Sequence, residues 1–316
     1  MTPEQEMSSA KVVTSSVLLC VLLAAFAVGS ALAQEDRWES RGLIGKTIRA
    51  LDVSDSNPQI LYAGVQDQVY KSSSGGNSWS HLDATGYGWT NCLTIDPQNS
   101  DIVYRSSGYI WRTADGGPSW TQWSEPPTDA ITDLVICPLN SSLMYAAYGP
   151  WFLKSQDAGI TWKAVRTSLN IRDLALELRR PGVVYAATSY KGLCVSADEG
   201  WNWEKVNPMG LWHIEVCPSN PSVLYGCVGY GSMYKSEDSG SSWVKMTEAG
   251  LGSLSIEVIA ASSPDPSTTV IYIGTSDGVF SITESIDTAV SPTSWGHIKA
   301  LFHIEKLGPR NDDLAR

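Results

Sequence analysis

The string KSQDAGITW at residues 154–162 recurs as RTADGGPSW (112–120), VSADEGWNW (195–203) and KSEDSGSSW (235–243), with a weaker copy, KSSSGGNSW, at 71–79. The closing tryptophans Trp79, Trp120, Trp162, Trp203 and Trp243 stand 41, 42, 41 and 40 residues apart. So constant a period restricts the chain to architectures in which one supersecondary unit stacks on copies of itself.

Each unit holds more than this box. Upstream lies a tyrosine closing a β-branched or aliphatic run: ILY (60–62), IVY (102–104), LMY (143–145), VVY (183–185), VLY (223–225) and VIY (270–272). Most of these follow a turn rich in Pro and Asn, such as DPQNSD (96–101) or CPSNPS (217–222), itself preceded by an apolar run. Short β-rich runs punctuated by Pro, Asn and Gly, without a helical period, make each unit four strands, A to D. A four-stranded unit repeating at about 40 residues is the mark of a β-propeller blade, because one sheet cannot bury both of its faces alone. The box then forms the turn between strands C and D. Its Asp accepts hydrogen bonds from the turn's own N–H groups, its Gly takes positive φ, and its Trp packs beneath.

The sixth tyrosine, Tyr272, is followed by GTSDGVFSITES (274–285), which supplies a third strand but no box. The missing fourth strand is found at the other end: Trp38, in RWESRGL (37–43), stands 41 residues before Trp79. The expectation is an all-β, six-bladed β-propeller over residues 34–286, its last blade closed by the N-terminal strand near Trp38. A rival closure through Trp295 lacks the Asp and Gly at the right offsets. The C-terminal tail, residues 287–316, departs from the repeat: a Ser, Thr and Pro linker precedes Ile298, Leu301, Phe302 and Leu307 at loosely helical spacing. It reads either as a strip covering a blade or as a sorting or docking element.

The S/T-x-D-x-G-x-x-W box resembles the Asp-box, or BNR, repeat of sialidases, sortilin-type receptors, xyloglucan-degrading hydrolases and exported photosystem II stability factors. The resemblance covers residues 38 to about 285. It implies a propeller in which Asp115 and Trp120, Asp157 and Trp162, Asp198 and Trp203, and Asp238 and Trp243 are structural, lying away from the working face. The chain departs from the enzyme members: no R-I-P motif stands among its early arginines, and it has residues for one ring where the xyloglucan enzymes pair two. The stability factors look nearest in size, but they are associated with seven blades and a basic face.

Composition narrows the function. The 316 residues carry a formal charge of −11, which argues against nucleic acid as a partner, since phosphate binding needs clustered Lys and Arg. Lys11, the apolar run VLLCVLLAAFAV (17–28) and ALA (31–33) read as a signal peptide over residues 1–33, hence a secreted or periplasmic protein with no membrane span after cleavage. Beyond it, Cys92, Cys137, Cys194, Cys217 and Cys227 match no zinc or redox spacing and read as small apolar strand residues. The four histidines form no coordination pattern, so no metal and no cofactor are expected, and the chain is taken as a monomer.

In a propeller, strand A lines the central channel, and the D-to-A and B-to-C loops build one face. Aligning the blades on their tyrosines puts Arg49, Asn91, Thr132, Arg172, Trp212 and Glu257 at one ring position near the channel mouth. Ala50, Cys92, Asp133, Asp173, His213 and Val258 come next. Trp89, Tyr109, Tyr148, Trp151, Tyr190 and Tyr230 fall in or beside the loops of the same face. Aromatic rings beside Arg and Asp compose a recognition surface for a protein or a glycan. The reading is therefore a non-catalytic binding or scaffold module. The alternative is a glycoside hydrolase, sialidase-like or xyloglucanase-like, with Asp133, Asp173 and Glu257 as weak catalytic candidates.

Overall fold

A computed structural model describes residues 37–82, 88–124, 131–178, 180, 182–229 and 231–286. The proposed signal peptide and C-terminal tail, Trp295 included, lie outside them. Among the described residues every regular element is a β-strand, and neighbouring strands within each sheet are antiparallel. The sheets are arranged as a β-propeller. Ala50–Val53, Cys92–Asp96, Asp133–Ile136, Lys163–Leu176, His213–Val216 and Ile256–Asp265 follow one another around the centre, the last returning to the first.

The strands gather into five sheets rather than the six blades expected. Four sheets have four strands, and the fifth has six. The cause is continuity at two places. Met144–Ser155 runs through the position of a B-to-C hairpin, and Lys163–Leu176 serves one repeat unit with its first half and the next with its second. Trp151 to Lys154 pair with Lys163 to Arg166, whereas Ile171 to Leu176 pair with Val184 to Thr188. Gly149 pairs with Ile171 across an irregularity in register and joins the two units into one sheet. Both units still send an inner segment to the channel.

The ring closes through the N-terminal segment. Glu39–Ser40 pairs antiparallel with Gly278–Ser285, placing Glu39 opposite Ser281 and Ser40 opposite Phe280. Trp38 is 1% exposed and shares a core with Tyr225 and Met233 on one side and Ile271 and Phe280 on the other. Its backbone N–H donates to Ala249 O at 2.9 Å and its Nε1 to Thr247 O at 2.9 Å. Arg41 Nε donates to Ser281 Oγ at 2.7 Å, and Trp79 Nε1 donates to Arg41 O at 2.7 Å. Residues 38–41 thus stitch together three consecutive sheets.

The box turns share one hydrogen-bond pattern. In the third, Ser155 Oγ accepts from Gly159 N at 2.8 Å and donates to Asp157 Oδ1 at 2.8 Å. Asp157 Oδ1 accepts from Thr161 N at 2.8 Å, and Trp162 Nε1 donates to Gly159 O at 3.0 Å. The set recurs at Ser196, Asp198 and Trp203 and at Ser236, Asp238 and Trp243; Thr113 and Asp115 repeat its Thr and Asp parts before the buried Trp120. Hydrogen bonds from Ser119 and from Thr161 pull the carboxyls of Asp115 and Asp157 down to about 2. The box glycine is dictated twice over: Gly200 has φ +89°, and a Cβ there would run into the Phe152 ring.

The tyrosines tie neighbouring units together. Tyr62, Tyr104, Tyr145, Tyr185, Tyr225 and Tyr272 are all buried. Tyr62 Oη donates to Gly116 O at 3.0 Å in the next box, and Tyr225 Oη donates to Glu284 Oε2 at 3.2 Å. The lysine that opens a box does likewise: Lys154 Nζ meets Glu199 at 2.5 Å and Lys235 Nζ meets Glu284 at 3.1 Å.

Two outcomes follow from this frame. Trp38→Ala empties a large buried site in the closing seam and is expected to cost about 3–5 kcal/mol in a urea melt. At the weak box, Ser74 stands where the others have Asp and accepts from Ser78 N at 3.0 Å. Ser74→Asp is expected to add roughly 0.5–1.5 kcal/mol at pH 7. Asp115 and Asp157 have folded values depressed below the ordinary value of about 4, and an aspartate in the same turn should share that direction. The gain should therefore be present above pH 4 and vanish in melts as pH falls toward about 2, the folded value of Asp115 and Asp157.

Candidate functional site

Two cavities open the central channel at opposite ends. The first, of about 100 Å³, is lined by Arg49, Asn91, Thr132, Asp133, Asp173, His213 and parts of the inner strands. The second, of about 110 Å³, lies toward Asp55, Pro97, Pro138 and Pro218. The antiparallel pairings place the B-to-C segments carrying Tyr109, Tyr148, Trp151 and Tyr190 on the side of the first mouth and the box turns on the other. The expected ring residues are thus brought together, and the boxes stand apart from them.

The rim of the first mouth is aromatic and basic. Tyr190 is 88% exposed, Trp89 56%, Tyr109 40% and Trp151 38%. Tyr148 and Trp212 are half-buried and Asn91 is exposed; Tyr230 lies outside the described residues. Arg172 lays its guanidinium 4.3 Å from the Trp212 ring centroid while its Nε donates to Ser189 Oγ at 2.9 Å. Arg49 sits 4.9 Å from the Trp89 ring and 3.8 Å from Glu257, whose carboxylate is half-buried beside it. Each cation thus lies over the face of an indole at the rim, held there by cation–π attraction.

Beneath the rim the channel is acidic. Asp133 and Asp173 line the same cavity, as a hydrolase acid and base would, but both are engaged in holding strands. Asp133 Oδ2 accepts from Leu174 N at 2.7 Å and its Oδ1 from Leu134 N at 2.8 Å. Asp173 Oδ2 accepts from Ile214 N at 2.7 Å. Asp52 repeats the device: its Oδ2 accepts from Ile95 N at 2.7 Å and its Oδ1 from Val53 N at 2.8 Å. Each aspartate reaches from one inner strand to an amide of the next. Glu215 completes the set of channel carboxylates.

Burial governs the protonation of Asp52, Asp133 and Glu215. Desolvation pushes Asp52 up to about 7, against the opposing pull of the Ile95 and Val53 amides. It also pushes Asp133 well above the usual range, helped by the charge of Asp173. Glu215 rises likewise, first through burial and then through Asp52, Asp173 and their neighbours. His213 Nδ1 lies 3.7 Å from Asp173 Oδ2. Among the described residues no group of three or more His, Cys, Asp or Glu side chains is arranged to hold a metal ion. The five cysteines carry free, buried thiols, and Cys92, at the cavity wall, is held protonated by burial. Among the described residues no helix is long and apolar enough to cross a membrane.

Asp52 and Glu215 are absent from the sequence-derived ring. Both lie two residues beyond ring members, Ala50 and His213, and strand alternation turns residues two apart to the same side.

No protein-family profile and no curated protein matches the sequence. Solved structures do match the fold. An ancestral GH74 enzyme superposes with a TM-score of 0.57 at 19% identity, over 81% of this chain and 39% of that one. The GH74 enzyme of Niastella koreensis gives 0.57 at 18% identity, over 77% and 46%. YCF48 bound to D1 peptide gives 0.57 at 15% identity, over 80% of this chain and 98% of that chain. The chain thus spans less than half of the GH74 enzymes but nearly the whole of YCF48. At these identities the likeness is one of fold.

Removing an interstrand aspartate tests its role. Asp173→Ala leaves the Ile214 amide without its acceptor and is expected to cost about 1–3 kcal/mol, with faster hydrogen exchange at Ile214; Asp173→Asn should recover part of both.

Proposed function

We propose that this chain is a non-catalytic binding module that holds a segment of another protein on the face around its first channel mouth. The observation carrying this reading is the contrast between rim and channel. Four exposed aromatic side chains and two indole-stacked arginines surround the opening, whereas the cavity beneath is about 100 Å³. Pockets that enclose small ligands run to roughly 300–1,000 Å³. A broad rim over a narrow hole suits a partner laid across the surface, anchored by rings and guanidinium groups. YCF48, a neighbour spanned almost end to end, is one recorded with a bound peptide, which favours protein over glycan as the ligand.

The finer reading counts six repeat units, with the six-stranded sheet as two of them fused. Residues 1–33 act as the export signal, so the module works as a monomer in the periplasm or outside the cell.

A second reading, glycoside hydrolysis, draws on the GH74 neighbours and on Asp133, whose raised protonation beside Asp173 is what a general acid needs. Against it stand the strand amides bonded to both carboxylates. The two readings separate on one set of screens: the purified chain against peptide and glycan arrays, and against chromogenic glycosides. A peptide hit that weakens about tenfold or more in Tyr190→Ala and Arg172→Ala, with no glycoside turnover, is the expected result. Turnover abolished by Asp133→Asn would replace the binding reading with the hydrolase.

A further inference from the structure

The channel carboxylates lie directly under the binding face. Asp173 follows Arg172 in the chain, and the Ile214 amide that donates to it stands two residues after Trp212, so this interstrand bond adjoins the stacked pair on the rim. Asp52, Asp133 and Asp173 each bond an amide of the next inner strand, at 2.7 Å in every case. Glu215 shares both cavities with Asp52 and projects from the fifth inner strand, His213–Val216.

The charge balance inside is one-sided. The titratable groups lining the two cavities are Asp52 and, nearby, Asp55 from the first inner strand; Cys92 from the second; Asp133 from the third; Asp173 from the fourth; and His213 and Glu215 from the fifth. The sixth contributes Val258, Ile259 and Ala261, with Glu257 beside them. Arg49 is the arginine of the lining, and Glu257 and Trp89 already engage it. Full ionisation would place four carboxylates around a cavity of about 100 Å³ with no lysine or second arginine lining it. In so confined a space like charges repel strongly, and protons relieve them.

We propose that proton uptake by Asp52, Asp133 and Glu215 regulates the binding face: mild acid relieves the repulsion among the channel carboxylates and steadies the rim of Arg172 and Trp212, and rising pH loosens it. The regulatory part rests on the reading of that rim as the binding surface, whereas the proton linkage belongs to the channel itself.

The direction follows from linkage. An unfolded chain releases these protons near pH 4, while the folded ring keeps one on Asp52 up to about 7. Below pH 4 both states are protonated and stability does not change on this account. Between about 4 and 7 the folded state holds protons that the unfolded state lacks, so stability declines as pH rises.

The test needs no ligand. Urea melts of the full chain from pH 4.5 to 8 should show the unfolding equilibrium constant rising, by up to about tenfold per pH unit for each proton that the folded state alone retains. Protection factors at Ile95, Leu174, Ile214 and the rim amide Trp212 should fall over the same range. Glu215→Gln, which leaves all three interstrand bonds in place, should flatten both profiles. Asp52→Asn provides the same readout should the first variant fold poorly. Stability independent of pH over this range, or profiles equally steep in wild type and variants, would overturn the linkage. Loss of rim protection that does not follow the melts would overturn the regulation. A failed peptide screen with sloping profiles would instead remove the binding reading and leave the linkage standing.

Discussion

A sheet with two apolar faces cannot stand alone in water, and closing the stack into a ring is what makes every other feature of this molecule possible. The closure begins with four residues. Trp38 is sunk into the core of the preceding sheet, Glu39–Ser40 completes the last one, and Arg41 offers its carbonyl to Trp79 of the first. Around the rest of the ring the same task falls to repeated side chains: tyrosines and lysines at the outer boundaries, aspartates on the innermost strands.

The repeat was legible in the sequence because its chemistry is local. Ser155, Asp157, Gly159 and Trp162 satisfy one another within nine residues, so their spacing is set by a single turn and survives as a string. The place of Trp38 followed from counting units. The sheet count did not: Gly149 and Pro150 mark a turn within residues 144–155, yet the pairing of Gly149 with Ile171, 22 residues on, joins the two units into one sheet.

The same division runs through the site. Arg172, Trp212 and Tyr190 could be placed on one face from the blade alignment, since rim position depends only on register. Asp133 and Asp173, weighed as catalytic candidates, prove to be bonded to Leu174 and Ile214, partners 41 residues away in each case. Such a bond joins two units, and a pattern read within one unit does not contain it. Asp52 and Glu215 were missed for a related reason: their importance comes from what surrounds them in the channel rather than from their neighbours in the chain.

The closure has a mechanical consequence. Lys163–Leu176 passes unbroken from one unit to the next, with Gly149 and Ile171 as the pair across them, while the N-terminal seam adds backbone bonds of Arg41, Gly42, Lys46 and Ile48 with residues 275–279 to the two-residue pairing of Glu39–Ser40. A pull on the chain's start therefore loads the stretch 38–48, whose bonds reach the last sheet, the one before it and the first.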